Sequence, residues 1–508
     1  MTLAAVAAAW LAARFAGFMP LLWVVVLAAI VVLPPGSRAL LDRRWLLAGS
    51  VLLLLSWTVA ADHELAFRHS LLALLAALLF ALARRAHLDD RAVAALAVGV
   101  ALTALVALGQ AFGGLDRARA SLDSFPPGWQ AAAAARLSGG RVFGTSALPG
   151  HFAALMLLVT PLLVERGWRA TRWARMGWGA GFLLLAGAAV LTRSLAAPLI
   201  GALLLLPLLL RGRGRRIWWL VAGVIVVAGG IAATRADLGT LEPLRLRWVN
   251  WRTAAWVFAH HPWLGVGLGG VGQAGLISPT AAANITPYAH NTYLQLLAEF
   301  GAAGVVLLGA GVWGLQRLVR RGYPAYPGLA LAVAAIPLHN LVDFSAYAPE
   351  VLLPWTVLAG TLAGRVCPPP ARPARGVVLL AVAAGGAMLA ALAWRGEAEM
   401  ALVSRSGPPW ERAMAAARWT PWAVTPLERV AASALRRGAA PAVLASLDAG
   451  LAARAWVMPR SASWAEARVH LLLAQGRPGE ARTWAREACR RAPWRRDLVE
   501  LEATCAAR

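Results

Sequence analysis

The chain has 508 residues, of which 59% are hydrophobic and only 14% charged, with a mean hydropathy of +0.62. Soluble domains carry roughly a quarter charged residues, so a water-soluble fold of this length is excluded and lipid is the solvent for much of the chain. The net charge of +25 is carried wholly by arginine. Its grouping between apolar runs is that of topology signals, which sets aside a nucleic-acid partner.

In chain order, apolar runs at 3–16, 18–34, 45–61, 67–83, 91–113, 151–164, 177–192, 195–210, 217–233, 302–319, 327–341, 350–364 and 376–394 predict helical spans. The fold expected is all-α, a polytopic transmembrane helical bundle of about 12–13 spans. The first run continues into further spans without a convincing cleavage site, so no cleaved signal peptide is expected. Arginine clusters at 38–44, 84–91, 166–175, 211–216, 317–321 and 365–375 fall in alternate loops. By the positive-inside rule those loops and the N-terminus are cytoplasmic, and the segment after residue 394 lies outside.

Two outer loops are long, at about 114–150 and 234–291, and long loops on a rigid scaffold tend to carry function. The second holds His261-Pro262-Trp263-Leu264-Gly265-Val266-Gly267-Leu268-Gly269-Gly270, whose glycines permit tight turns and close backbone approach to a ligand. A phosphate loop is a weak reading, because no Lys-Ser/Thr follows. These spans and loops make a first domain of 1–394. From 395 to 508 charged residues return at helical spacing. Ser463 to Leu473, then Gly476 to Ala481, reads as a helix, a tight turn and a helix of tetratricopeptide type, with an unrelated helical tail as the alternative. Cys367, Cys489 and Cys505 show no metal spacing, and free thiols are expected over a Cys489–Cys505 disulfide.

Polar residues are scarce on the outer side. His290-Asn291 stands just before an apolar helix that carries Gly301 and Gly304. A neutral imidazole at that depth can take the proton of an attacking hydroxyl, and the bland alternative is a histidine that caps the helix. Arg141, Arg193, Arg245, Arg247 and Arg252 sit on the side where arginine is disfavoured. Guanidinium binds phosphate in a bidentate fashion, and converging arginines would hold a pyrophosphate leaving group. The competing account pairs Arg245 or Arg247 with Glu242, Asp237 or lipid head groups. His151 follows Pro149 at the mouth of a span and reads as a helix-terminus residue. Asp343 needs a partner in its apolar setting: it orients His290 or an arginine, or forms a structural lock with His339.

These motifs together resemble the O-antigen ligase superfamily, which includes O-antigen ligases, protein O-oligosaccharyltransferases and polysaccharide polymerases. The resemblance rests on His290-Asn291 with Gly301 and Gly304; on Arg247, Trp251 and Arg252 before His261 to Gly267; on Arg141-Val142-Phe143-Gly144-Thr145; and on Thr192-Arg193-Ser194. It covers roughly 140–365. Two positions depart from the pattern: Gly150 stands where asparagine is usual, and Leu195 where the glycine of Ser-Arg-Gly is usual.

The resemblance implies a multi-pass enzyme of the bacterial inner membrane working at its periplasmic face. It would move a glycan from undecaprenyl pyrophosphate to an acceptor hydroxyl, with no metal and no cofactor. His290 would be the base; Arg247, Arg193, Arg252 and Arg141 would bind pyrophosphate; and Asn291, Gly301, Gly304 and Asp343 would support the site. The acceptor would be a growing glycan, lipid A core or a protein. Two other classes remain: a transporter or flippase of lipid-linked precursors, which would favour paired similar halves that are not visible here, and a non-catalytic envelope scaffold.

Overall fold

The computed structural model describes residues 19–32, 43–86, 88–122, 134, 136–194, 196–210, 242–284, 286–367 and 376–507. Among them the chain is helical and holds no strand. Every expected apolar run within these residues coincides with a helix, and the runs at 3–16 and 217–233 lie outside the described residues.

The first helices are α1 (Met19–Val32), α2 (Arg43–Thr58), α3 (His63–Ala86) and α4 (Asp90–Gly109), the last leading through a π-turn into α5 (Leu115–Ala120). Then come α6 (Pro149–Arg169), α7 (Arg172–Leu191), α8 (Ala196–Leu210), α9 (Glu242–His260) and α10 (Val271–Gly275). The second half of the bundle holds α11 (Thr292–Phe300), α12 (Ala302–Gly322), α13 (Pro327–His339), α14 (Pro349–Val366) and α15 (Gly376–Ser406). The long outer loop expected at 234–291 therefore holds two helices, α9 and α10, where it is described.

The stretches His63–Ala86, Asp90–Ala120, Arg172–Leu191 and Ala302–Gly322 are by themselves long and apolar enough to cross a membrane. The other expected spans among the described residues are helices that are shorter or more polar.

The main core joins α4, α6, α7, α8, α13 and α14, with Phe152, Leu158, Leu163, Ala330 and Leu358 fully buried. Lipid gives little hydrophobic drive between helices, so close backbone packing carries the contact. Gly360 and Gly364 lie one turn apart on α14; a Cβ on either would stand 2.3 Å from Phe80 O or Arg84 O of α3. Proline opens α6, α13 and α14, where its missing N–H would be unpaired anyway. Pro337 inside α13 leaves Val333 O without its usual donor, and Trp355 Nε1 of α14 supplies one at 2.8 Å.

The bundle has two chemically distinct ends. At one, Asp90 pairs with Arg166 at 3.1 Å and Arg365 at 2.9 Å, so three of the arginine-bearing loops meet. At the other, the N-termini of α3, α6 and α14 meet the C-terminus of α13 and the glycine-rich loop.

The remaining helices are α16 (Trp410–Trp419), α17 (Thr425–Arg436), α18 (Pro441–Ala452), α19 (Ala462–Ala474), α20 (Pro478–Arg491) and α21 (Arg496–Ala507). The α19–α20 pair is the hairpin expected from the sequence. This tail has its own core around Leu427, Leu447, Leu451 and Trp464. The helix α15 runs unbroken through residue 394 into this tail. The tail docks on the N-terminus of α3. Glu64 Oε2 accepts Val424 N at 2.8 Å and Thr425 N at 2.9 Å, so a bundle carboxylate caps α17. His63 N donates to Val457 O at 2.7 Å, and Phe67 stacks on Trp422 at 4.4 Å. No disulfide joins Cys367, Cys489 or Cys505.

Candidate functional site

The site forms where α11 begins. Asn291 is its N-cap: Oδ1 accepts Tyr293 N and Leu294 N, each at 3.0 Å, while Nδ2 donates to Leu341 O at 2.8 Å. The cap thus also ties α11 to the turn that carries Asp343. Thr292 N reaches Asn340 O at 3.0 Å and Asp343 O at 3.1 Å, closing the same junction.

His290 precedes the cap with φ 54°, a left-handed conformation unusual outside glycine. Such strain persists only where the surroundings over-determine it. Here Trp251 Nε1 of α9 donates to His290 O at 3.2 Å, and Ala289 N donates to Gln295 Oε1 at 2.7 Å. Phe344 meets the imidazole edge to face at 4.7 Å, and Tyr288 stacks on the far side of that contact, 4.3 Å from Phe344.

Imidazole Nδ1 of His290 is buried and faces Asp343 Oδ1 at 3.7 Å. This is longer than a hydrogen bond, so the contact is electrostatic, and a small ring rotation closes it. The His290 side chain is 30% exposed and Asp343 only 5%. The ring therefore presents its other edge outward, with the carboxylate behind it. Asp343 Oδ1 accepts Phe344 N at 2.8 Å, and Oδ2 lies 3.9 Å from His339 Nε2. Burial works against the Asp343 anion, but His290, His339 and His151 prevail and hold the carboxyl below the usual carboxylate range. Asp343 thus faces both of the histidines that the sequence offered as its partners.

The arginines divide into two groups. Arg247 is half-buried on α9, one turn before Trp251, and its charge acts on His339. Arg252 is exposed on the same helix. Arg141 and Arg193 lie instead where 139–141 meets 192–193: Arg141 Nε donates to Thr192 O at 2.9 Å, and Arg193, at φ 51°, donates to Gly139 O at 3.3 Å. Arg119, which sequence reasoning missed, joins them. A Cβ at Gly140 would lie 3.8 Å from Arg119 Nη2 and 3.9 Å from Arg193 Nη1. This arginine group sits at one end of the segment 139–151, whose other end reaches Asp343 through Gly150.

The glycines of the loop make the tight turns expected of them. Gly265, Gly267 and Gly269 have positive φ, and a Cβ on them would stand 2.3 Å from Glu299 C, 2.5 Å from Ala60 Cα and 2.6 Å from Leu65 Cβ respectively. They bring the loop against Glu299 of α11 and against Ala60 and Leu65. Gly301, at φ 58°, turns α11 into α12 under Pro262 and Trp263, and Gly304 lies against Leu296 O.

His151 lies behind this assembly, with Nδ1 at 3.2 Å from Glu350 Oε1, and makes a second histidine–carboxylate pair against Phe344. Sequence reasoning placed His151 correctly but gave no sign of Glu350, which looked like one polar residue at a helix start. Tyr288, Phe344, Gln295, Glu299 and Tyr347 were missed as well.

The O-antigen ligase family matches residues 180–309. Over those residues the chain is similar to an O-antigen ligase domain. The domain runs from α7 into α12 and takes in Arg193, Arg247, Arg252, His290, Asn291, Gly301 and Gly304, while Arg141 and Asp343 stand on flanking elements. No curated protein and no solved structure matches the chain. With the apolar helices described above, this similarity marks a membrane protein.

Proposed function

We propose that this protein transfers a glycan from undecaprenyl pyrophosphate to an acceptor hydroxyl at the periplasmic face of the bacterial inner membrane. The observation that carries the reading is the His290–Asp343 pair: an imidazole with one edge outward and a buried carboxylate 3.7 Å behind it, inside the start of a helix of the ligase domain. In the reaction, the exposed nitrogen of His290 takes the acceptor proton as the hydroxyl oxygen bonds to the anomeric carbon. The bond from that carbon to the pyrophosphate oxygen breaks, and the pyrophosphate leaves with the electron pair. Asp343 orients the ring and offsets the charge it gains. Arg247, and with it Arg193, Arg252 and Arg141, stabilises the departing pyrophosphate. Asn291, Gly301 and Gly304 hold the turn.

The orientation follows the arginine clusters: the Asp90 end faces the cytoplasm and the His290 end the periplasm. The tail docks at the His290 end and is then periplasmic. Helical hairpins of tetratricopeptide type on a unit of 395–508 fit a polymerase-like or protein-glycosylating member better than a lipid A core ligase. The test is transfer by the purified protein in proteoliposomes with lipid-linked glycan. His290→Ala should abolish product while leaving the protein folded and inserted. Full activity in that variant sinks the base assignment, and a wild type that moves donor across the bilayer without transferring it makes the protein a flippase.

A further inference from the structure

We infer that Glu299, acting through Gln295, is a positioning residue that sets His290 against Asp343; the inference deepens the reading of His290 as the base and rests on it. Glu299 and Gln295 are both fully buried, one turn apart on α11. A carboxylate in that position is costly unless its oxygens are occupied. Here they are. Oε1 accepts Gly269 N at 2.8 Å and Gln295 Nε2 at 2.7 Å, and Oε2 accepts the Tyr347 hydroxyl at 2.6 Å.

The chemistry of the amide makes this arrangement directional. Oε1 accepts whether the carboxyl is ionised or carries a proton on Oε2, so the Gln295 NH2 must face it. The Gln295 carbonyl oxygen is thereby turned to Ala289 N, which donates to it at 2.7 Å. That bond holds the peptide just before His290, whose left-handed φ of 54° leaves the ring dependent on its backbone anchors. On the other side Tyr347 belongs to the turn Ser345–Tyr347, which follows Asp343 and Phe344 directly. One carboxylate therefore grips the segment before the imidazole, the segment after Asp343 and the glycine-rich loop. No bond joins Glu299 to His290 or to Asp343; it acts on their separation.

The experiment compares wild type with Glu299→Ala, Glu299→Gln and Gln295→Ala in the full-length reconstituted protein. Glutamine at 299 can still accept from Gly269 and Gln295 and donate to Tyr347, so it should keep most activity. Glu299→Ala and Gln295→Ala should lower kcat about tenfold or more, with KM for lipid-linked donor changed less than about twofold. Unchanged kcat in both alanine variants overturns the inference, as does a Glu299→Gln variant as impaired as Glu299→Ala. An activity-free arm follows amide hydrogen exchange in the peptide spanning 286–292. Both alanine variants should lose protection there while the helices of 410–507 keep theirs, and retained protection at 286–292 overturns the inference whatever the activity. Lost protection in a protein whose wild type transfers no glycan upholds the positioning and sinks the transferase reading instead.

Discussion

Gly150 and Asp343 are fitted to each other: a Cβ at Gly150 would stand 2.3 Å from Asp343 Oδ2. An asparagine at this place would drive into the carboxylate behind His290. Gly150→Asn and Gly150→Ala are therefore expected to displace Asp343. Overpacking of this kind costs about 1–3 kcal/mol. A thermal melt should show the loss of stability, and transfer should fall further than stability alone explains. An unchanged melt and rate in Gly150→Asn would mean that Asp343 moves aside without consequence.

If Asp343 works only through His290, the two residues act as a unit. Asp343→Asn should lower kcat about a hundredfold, and the double variant with His290→Ala should be no slower than His290→Ala alone. Independent, multiplying losses would assign Asp343 a separate task. The low carboxyl range of Asp343 also fixes a sign. A depressed carboxylate contributes stability that is present above its unfolded value and lost as pH falls through the folded one. Asp343→Asn should accordingly flatten the acid limb of a stability-against-pH curve.

The opposite sign holds for a second set. Burial pushes Asp62 up to about 7, with Glu64 adding to it; it pushes Glu299 to about 7 against its three donors; and it pushes Glu428 to about 8 with help from Glu64, Asp62 and Glu466. Free carboxyls titrate near 4, so between about pH 4 and pH 8 the folded protein binds more protons than the unfolded chain. Stability from these groups falls as pH rises through that window and levels off above it. The melting midpoint should be lower at pH 8 than at pH 6, and Asp62→Asn should reduce the difference.

Glu64 is shared between bundle and tail. It pairs with Arg68 at 2.9 Å, Arg68 pairs with Glu397 at 2.9 Å, and the free oxygen caps α17. Glu64→Ala leaves two helix N–H groups unpaired, a loss of about 1 kcal/mol from the cap alone. Limited proteolysis should then cut faster around Pro421–Thr425 without faster cutting in α6 or α13. Equal cutting rates would show that the apolar contact of Phe67 with Trp422 suffices.

Helices and their punctuation were legible because apolar period, arginine clusters and helix-opening prolines are local signals. His290, Asn291, Gly301 and Gly304 were legible for the same reason: they lie on one turn-helix-turn segment. What sequence could not show is which distant pieces meet. Glu350 reaches His151 and Glu64 reaches Val424 only through the fold, and the spacing of either pair carries no period. Glu299 was passed over because a single acid on a short apolar helix looks like a solvated residue, and its three donors come from different segments. The glycine-rich loop was legible only in part, for a related reason. Glycine reports that something comes close to the backbone, and here Ala60, Leu65 and Glu299 do.

The bond from Trp355 to Val333 has a consequence for how the chain enters the membrane. α13 is 13 residues long, with a proline that opens its hydrogen-bond ladder. Alone in hydrocarbon it would be too short to span and would expose a bare carbonyl. Its missing donor arrives only with α14, after the turn that holds Asp343. The two helices are thus suited to leave the insertion machinery as a hairpin, and the carboxylate behind His290 is carried to its depth by the pair rather than by either helix.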